Sequence, residues 1–334
     1  MVYIYRKTIG DKKYYYLRAS VRKNGKIVVK DIKFLGSDIH AIQENLKNIP
    51  HVYDQEIRKT YRTINKFLEV NIFLEKVKRE KLKKDLYLDN DSLENIEACR
   101  RHWQERFQKL DELTKKEILK HFVIAYAFNT ASIEGNTITL KQARDLLTEE
   151  RVPKDKSLRE IYDVQNTEKV FMMIIHERRD VSHEFIQEIH RRLLEHIDPR
   201  EGYRTGEVRV FKAAFKSTPA PYVKTDMGLL LQWYHEQEKK IHPFVLAILF
   251  HHKFEKIHPF MDGNGRTGRM LMNSILLQHD SPPIIIRKKN RTAYLDVLHK
   301  ADHCPITRAD KNHYAELLEF ATNEYKENYW NIFL

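Results

Sequence analysis

From about residue 42 to residue 334, apolar side chains recur every three or four positions, a period that buries one face of a helix. Ile57, Tyr61, Ile64, Leu68 and Ile72 keep it. So do Leu93, Ile96, Trp103, Phe107 and Leu110, with Arg100 in the same register. Ten glycines and ten prolines are few for this length, which disfavours a turn-rich all-β fold. The expected class is mainly α.

The first forty residues break the period. VYIYRKTI, KKYYYLRASVRK and KIVVKDIKFLG are rich in β-branched and aromatic residues, and Gly10-Asp11 and Asn24-Gly25 punctuate them. Asn-Gly between strand-like runs is a strong hairpin signal, so a small antiparallel β meander is predicted over 1–40. It holds ten Lys/Arg against three Asp, a net +7 of the chain's +12. A second break falls at 202–223, where GYRTGEVRVFKAAFKSTPAPYV alternates and ends in Pro219 and Pro221. A short hairpin or flap is predicted there.

Local signals mark helix ends. Asp and Asn in LDNDS at 88–92 offer N-caps. Thr114-Lys115-Lys116-Glu117 fits a capping box opening a helix (about 115–135) through Phe122, Ile124 and Phe128 to Ile133, with Gly135 as its left-handed terminator. Thr139-Leu140-Lys141-Gln142 opens the next helix in the same way, and KVKREKLKK at 76–84 reads as a solvated helix face. Three zones follow: a basic meander over 1–40, a helical extension over 41–110, and a domain over 111–334 that carries the chemistry.

Two cysteines, Cys99 and Cys304, supply neither a disulfide framework nor a four-cysteine zinc site, which fits a reducing compartment. The apolar runs Phe122 to Phe128 and Phe244 to Phe250 are too short to span a bilayer, and MVYIYRKTIG lacks the apolar stretch of a signal peptide. A cytoplasmic protein without membrane contact is expected.

The most informative stretch is His258-Pro259-Phe260-Met261-Asp262-Gly263-Asn264-Gly265-Arg266-Thr267-Gly268-Arg269, between two helical segments. Gly263, Asn264 and Gly265 permit the tight backbone that turns successive N–H groups inward, and such a nest at a helix N-terminus binds phosphate oxygens. Arg266 and Arg269 add guanidinium forks for further phosphates. Asp262 is a hard oxygen ligand suited to Mg²⁺. His258 is expected in an extended conformation before Pro259 and titrates near neutrality, as a general base must.

GNGRTG at 263–268 also matches G-x-G-x-x-G, but a dinucleotide fingerprint needs a preceding strand and an acidic residue about 20 positions on. Here a helix precedes it and IIIRKKNR follows. Met270 stands where a kinase glycine loop has Val. A zinc site on His251, His252 and His258 is disfavoured because adjacent helix residues point roughly 100° apart.

Read whole, HPFMDGNGRTGR resembles the Fic-family signature His-x-Phe-x-Asp/Glu-Gly-Asn-Gly-Arg-x-x-Arg at every fixed position. The resemblance extends through GYRTGEVRV, HPFVLAILFHHKFEKI and PPIIIRKKNRTAYLDVLHKAD, covering about 120–334. It implies a Fic-type helical bundle with a small β-hairpin flap. The implied activity is transfer of AMP from ATP to a Tyr, Thr or Ser hydroxyl of a protein target, the enzyme itself included. His258 would be the base and Asp262 the ligand of Mg²⁺, or of Mn²⁺ in its place. Gly263, Asn264, Gly265, Arg266, Thr267, Gly268 and Arg269 would hold the phosphates. Val210, Phe211, Lys212 and Ala213 of the flap would align the target chain by β-augmentation, while Tyr294 and Asp302 would line the nucleotide pocket. Phe211 stands where many members have Gly, and Asp302 where Asn is frequent. A homodimer is compatible with the family.

Thr130-Ala131-Ser132-Ile133-Glu134-Gly135-Asn136 resembles the inhibitory motif that some members carry ahead of the core. By that resemblance Glu134 would pair with Arg269, occupy the seat of the γ-phosphate and hold the enzyme inactive. The resemblance equally admits a mainly hydrolytic, AMP-removing enzyme on the same residues. A reading of another class is a nucleic-acid-binding protein with a nucleotide-sensing domain, since Tyr3, Tyr5, Tyr14 to Tyr16 and Phe34 interleave with Lys and Arg. Lysines that merely protect a sheet edge are the simpler account of that segment from sequence.

Overall fold

The computed structural model describes all residues except 1, 11, 24, 48, 50–52 and 209–216. The turn positions Asp11 and Asn24 and the flap residues Val210, Phe211, Lys212 and Ala213 therefore lie outside the described residues. The chain forms two compact units, Met1–Leu82 together with Leu334, and Lys83–Phe333.

In the first unit, strands β1 (Val2–Ile9), β2 (Lys12–Lys23) and β3 (Lys26–Gly36) make an antiparallel sheet in that order. Alternation buries Val2, Ile4, Tyr15, Leu17, Ala19 and Leu35. They pack on Ile39 and Ile42 of α1 (Ile39–Lys47) and on Ile64 and Leu68 of α2 (Asp54–Arg79). Tyr61, expected on that buried face, points outward. The basic run at 76–84 is helical only to Arg79, because Lys81 turns left-handed and ends α2.

The second unit is helical: α3 (Asn90–Glu105), α4 (Glu112–Ile133), α5 (Leu140–Glu149), α6 (Leu158–Glu177), α7 (His183–Leu193), α8 (Val223–Gln237), α9 (Pro243–Ile257), α10 (Asn264–Gln278), α11 (Arg291–Ala301) and α12 (Lys311–Ile332). Helices α9 and α10 are buried almost all round, from Phe244 to Phe254 and from Arg266 to Leu277, and form the centre of the bundle. The stretch 41–110 does not hold together as one extension. α1 and α2 bury against the sheet, whereas Trp103 and Phe107 stack at 4.4 Å and both meet Phe333 edge-on.

The caps fix where each site-bearing helix starts and stops. Asp89 caps α3, and the Thr139/Gln142 capping box opens α5. For α4 the cap is Asp111, whose side chain accepts from the Thr114 N–H at 3.0 Å, so α4 begins before the predicted Thr114 box. Asp111 takes the Thr114 amide, so the helix is already under way where the Thr114 side chain was expected to serve the Glu117 amide. At the other end Gly135 adopts φ +103°, a conformation open chiefly to glycine, and stops α4 beside Glu134.

Candidate nucleotide and phosphate site

The site lies where α9 turns into α10. His258 ends α9 in the left-handed region (φ 54°, ψ 61°), its N–H donating to the Phe254 carbonyl at 2.9 Å. The extended conformation expected for it is not adopted. A following proline disfavours the right-handed helical region, and a helix C-terminus supplies the left-handed alternative. Buried Arg204 secures that geometry. Its Nε donates to the His258 carbonyl at 2.8 Å, its Nη2 to that of Thr218, and its backbone N–H to that of Pro259 at 2.8 Å.

The imidazole of His258 is held by a hydrogen bond with the Glu255 backbone, and its pKa lies below the usual histidine value. Burial is the main cause, and the Arg204 charge adds to it. At neutral pH the ring is therefore neutral and able to accept a proton.

The loop itself is built to be rigid. The Asn264 side chain accepts from the Phe260 N–H and donates to the Phe260 carbonyl, both at 2.8 Å, so it closes the loop instead of facing an anion as expected. His190 of α7 stacks on Phe260 with centroids 3.6 Å apart and donates Nε2–H to the Asp262 carbonyl at 3.0 Å. Burial pushes its pKa down to about 4, so it is neutral there. Gly263 takes φ +77° at the N-cap of α10, where a Cβ would meet Leu194 at 2.5 Å.

Two carboxylates press on the first turns of α10. A Cβ at Gly265 would stand 2.2 Å from Glu134 Oε1 and 3.0 Å from Arg269 Nη1. One at Gly268 would stand 2.5 Å from Glu255 Oε1 and 2.9 Å from His251 Nδ1. Glu134, the C-cap of α4, accepts from Arg269 Nη2 at 2.7 Å. Arg269, 2% exposed, also donates Nε to Thr130 Oγ1 at 2.7 Å and Nη2 to the Thr130 carbonyl at 3.1 Å. Burial would raise the Glu134 pKa, but the charges of Arg269, Arg266 and Arg291 outweigh it and keep the carboxylate ionised. For Glu255, burial wins and lifts its pKa to about 8.

Arg266, equally buried, pairs with Asp163 of α6 and lies 3.5 Å from Asp262 Oδ1. Asp262 is also paired with Arg159, and its Oδ1 accepts from the Gly263 N–H at 2.6 Å. Its pKa is lowered, since these guanidinium charges overcome burial. Thr267 and Gly268 face into the bundle.

Of Tyr294 and Asp302, expected to line the nucleotide pocket, Tyr294 stands beside the Arg269 guanidinium. Tyr294 is buried with its hydroxyl 2.6 Å from His251 Nε2, and Asp302 accepts from His252 Nε2 at 3.1 Å. The divergence of His251 and His252 agrees with the rejected zinc reading. Among the described residues no three His, Cys, Asp or Glu side chains gather as a metal site. No helix among them is long and apolar enough to cross a membrane.

Residues 180–276, which contain the whole loop, match the model of the Fic/DOC family. The segment that holds the loop is similar to the Fic/DOC family. Curated relatives similar to it are Protein adenylyltransferase Fic of Nematostella vectensis, 32% identical over 218 residues (60% of this chain, 51% of the relative), and Protein adenylyltransferase fic-1 of Caenorhabditis elegans, 30% identical over 222 residues (64% and 43%). The chain spans about half the length of the curated relatives it matches, or less. Among solved structures, a Fic domain containing signaling protein from Bacteroides thetaiotaomicron superposes with a TM-score of 0.64 at 25% identity, covering 70% of this chain and 95% of that one. Fic-1 from C. elegans gives 0.61 at 26% identity, with 73% and 71% covered. The mainly helical fold with a small amino-terminal sheet is thus the expected one. Glu134 lies outside the matched segment, as do Tyr294 and Asp302.

Arg204, His190, Asp163, Arg159 and Glu255 were not singled out from sequence. Arg204 stands in GYRTGEVRV, already part of the resemblance, but nothing local marks it as the clamp of a loop 54 residues away.

Proposed function

We propose that the chain transfers AMP from ATP to a hydroxyl side chain of a target protein and that Glu134 restrains this activity. The observation that carries the reading is a neutral His258 held at the mouth of a helix N-terminus that also presents Arg266 and Arg269. The names of the curated relatives support the same reaction.

In this reading the triphosphate lies over the first turn of α10, where the backbone amides and the helix dipole meet its negative charge. His258 takes the proton of the target hydroxyl. The hydroxyl oxygen bonds to the α-phosphorus as the bond from that phosphorus to the bridging β-oxygen breaks. Pyrophosphate leaves, the target keeps an AMP ester, and His258 gives its proton to solvent. The proton is accepted by the ring nitrogen that is not bonded to the Glu255 backbone. Positioning and charge stabilisation supply the rest of the rate.

Asp262 fits an Mg²⁺ ion that arrives with the nucleotide: it is ionised and partly exposed, and Mg²⁺ is bound by one or two carboxylates plus phosphates. Such an ion would supply neutralisation of the phosphate charge, and Mn²⁺ could do the same. Asp262 must then release Arg159. Arg269 offers its guanidinium to the γ-phosphate only when Glu134 withdraws, since the two share one contact over Gly265.

Incubation of the wild type and His258→Ala with α-labelled ATP, Mg²⁺ and a native lysate tests the reading. Loss of roughly 10²–10⁴-fold in incorporation is expected for the variant, the range of a general base. Retention of wild-type incorporation would remove His258 from the chemistry.

A further inference from the structure

The amino-terminal unit has a face that the transfer reaction does not use. We propose that the outer face of the β1–β2–β3 sheet binds single-stranded nucleic acid.

The register sets the face. With Val2, Ile4, Tyr15, Leu17, Ala19 and Leu35 turned inward, the opposite side carries Tyr3, Tyr5, Tyr14, Tyr16 and Phe34. Tyr5 pairs with Tyr16, and Tyr16 with Phe34, so a row of rings crosses all three strands. Phe34 lies 5.2 Å from Tyr16 and 6.3 Å from Tyr14 between centroids, yet is 52% exposed. The rings pack side by side and still offer surface to solvent. On Tyr5 the Arg18 guanidinium sits 3.5 Å above the ring and pairs with Asp31 across the strands, so cation and aromatic face already coexist here.

Charge selects the partner. Residues 1–82 hold nineteen Lys/Arg against nine Asp/Glu, a net +10 of the chain's +12, while the much larger catalytic unit is nearly balanced. Lysines that protect a sheet edge account for Lys26, Lys30 and Lys33 of the edge strand β3. Alternation puts Lys12, Arg18 and Arg22 of β2 on the same outer face as Tyr14 and Tyr16. Edge protection does not account for Ile27 and Phe34, exposed by 74% and 52% towards the two ends of β3. An acidic peptide would use the cations and leave the rings idle. Bases stacked on aromatic side chains with phosphates on flanking cations use both, and a flat sheet suits a splayed single strand better than a groove.

Fluorescence anisotropy of the full chain with a labelled mixed-sequence 20-mer, as DNA and as RNA, tests this. Affinity is expected to fall with salt at a slope near −0.7 per phosphate, about 50-fold between 50 and 200 mM if four phosphates are neutralised. Phe34→Ala, at a half-exposed position outside the sheet's buried core, should weaken binding about tenfold or more with an unchanged salt slope and an unchanged Tm. Replacing Lys12 and Arg22 by Gln should weaken it and flatten the slope. AMP transfer should be unaltered in Phe34→Ala, which separates this face from the catalytic unit. The proposal is overturned if neither oligonucleotide binds, if Phe34→Ala binds like the wild type, or if polyglutamate or a duplex of equal length competes better than the single strand.

Discussion

Replacing Glu134 by Gly isolates the restraint on the site. Arg269 is held by three acceptors, and only one of them, Glu134 Oε1 at 2.7 Å, stands where a phosphate would approach α10. A hydrogen bond between charged groups contributes about 1.5–3 kcal/mol. Glu134 keeps 41% of its side chain exposed, so solvent screening places the contact near the lower end, about 1.5–2 kcal/mol. Removing it shifts productive ATP binding by about 10- to 30-fold, since 1.4 kcal/mol is a factor of ten. The rate of AMP incorporation at subsaturating ATP should rise by that factor. Glu134→Gln should give an intermediate rise, because a neutral amide keeps a weaker contact with Arg269. Thermal stability should fall modestly, as Arg269 retains both Thr130 acceptors. The assay is the initial rate of label transfer from α-labelled ATP, with Glu134→Gly/His258→Ala as the blank. A Glu134→Gly rate within twofold of the wild type would refute the occupied-seat argument, and a rise that survives in the double variant would assign the activity to another group.

Arg204→Ala removes the donors that hold the His258, Thr218 and Gly206 carbonyls. It should lower Tm by several degrees and depress transfer with little change in KM for ATP, measured by thermal melts and initial rates. Acidification should destabilise the fold. Burial holds His190 and His102 near pKa 4 and His251 near 3, so between pH 6.5 and 4 the unfolded chain binds protons that the folded one refuses. Stability is full above pH 6.5 and falls by about 1.4 kcal/mol per pH unit per histidine below it, which denaturant midpoints at pH 7 and 5 would reveal. Glu255 has the opposite sign: its folded pKa of about 8 stabilises fully below pH 4.5 and is lost as pH rises towards 8. Glu255→Gln should therefore gain stability over the wild type progressively from pH 5 to pH 8, and a constant offset across that range would show the carboxyl to be ionised throughout.

The parts of the site that could be read from sequence are those encoded contiguously. Residues 258–269 bring base, carboxylate, glycines and guanidiniums together in twelve positions because a helix–loop–helix turn keeps neighbours in sequence near in space. The Thr139/Gln142 box and the Gly135 stop were legible for the same reason. Glu134 was legible only through resemblance, since its meeting with Arg269 across 135 residues is a tertiary fact. Arg204, His190 and Asp163 leave no local trace, because each acts on a loop or a guanidinium brought to it by packing. Asn264 shows the converse: its place in the motif suggested an anion contact, while its side chain is spent on the Phe260 backbone. Tyr61 fitted the helical period and still faces outward, for a sheet covers only part of a long helix.

Glu134 sits on the final turn of α4, immediately before the left-handed Gly135. Terminal turns are the first part of a helix to fray. Under the proposed restraint, the site would open at a rate set by fraying of one helix end, outside the nucleotide's own ligands. Resting activity would then drift through substitutions at 134–136, or through anything that binds and stiffens that turn, while every residue of the phosphate loop stays unchanged. Amide exchange at Glu134 and Gly135 would be the direct gauge of that opening.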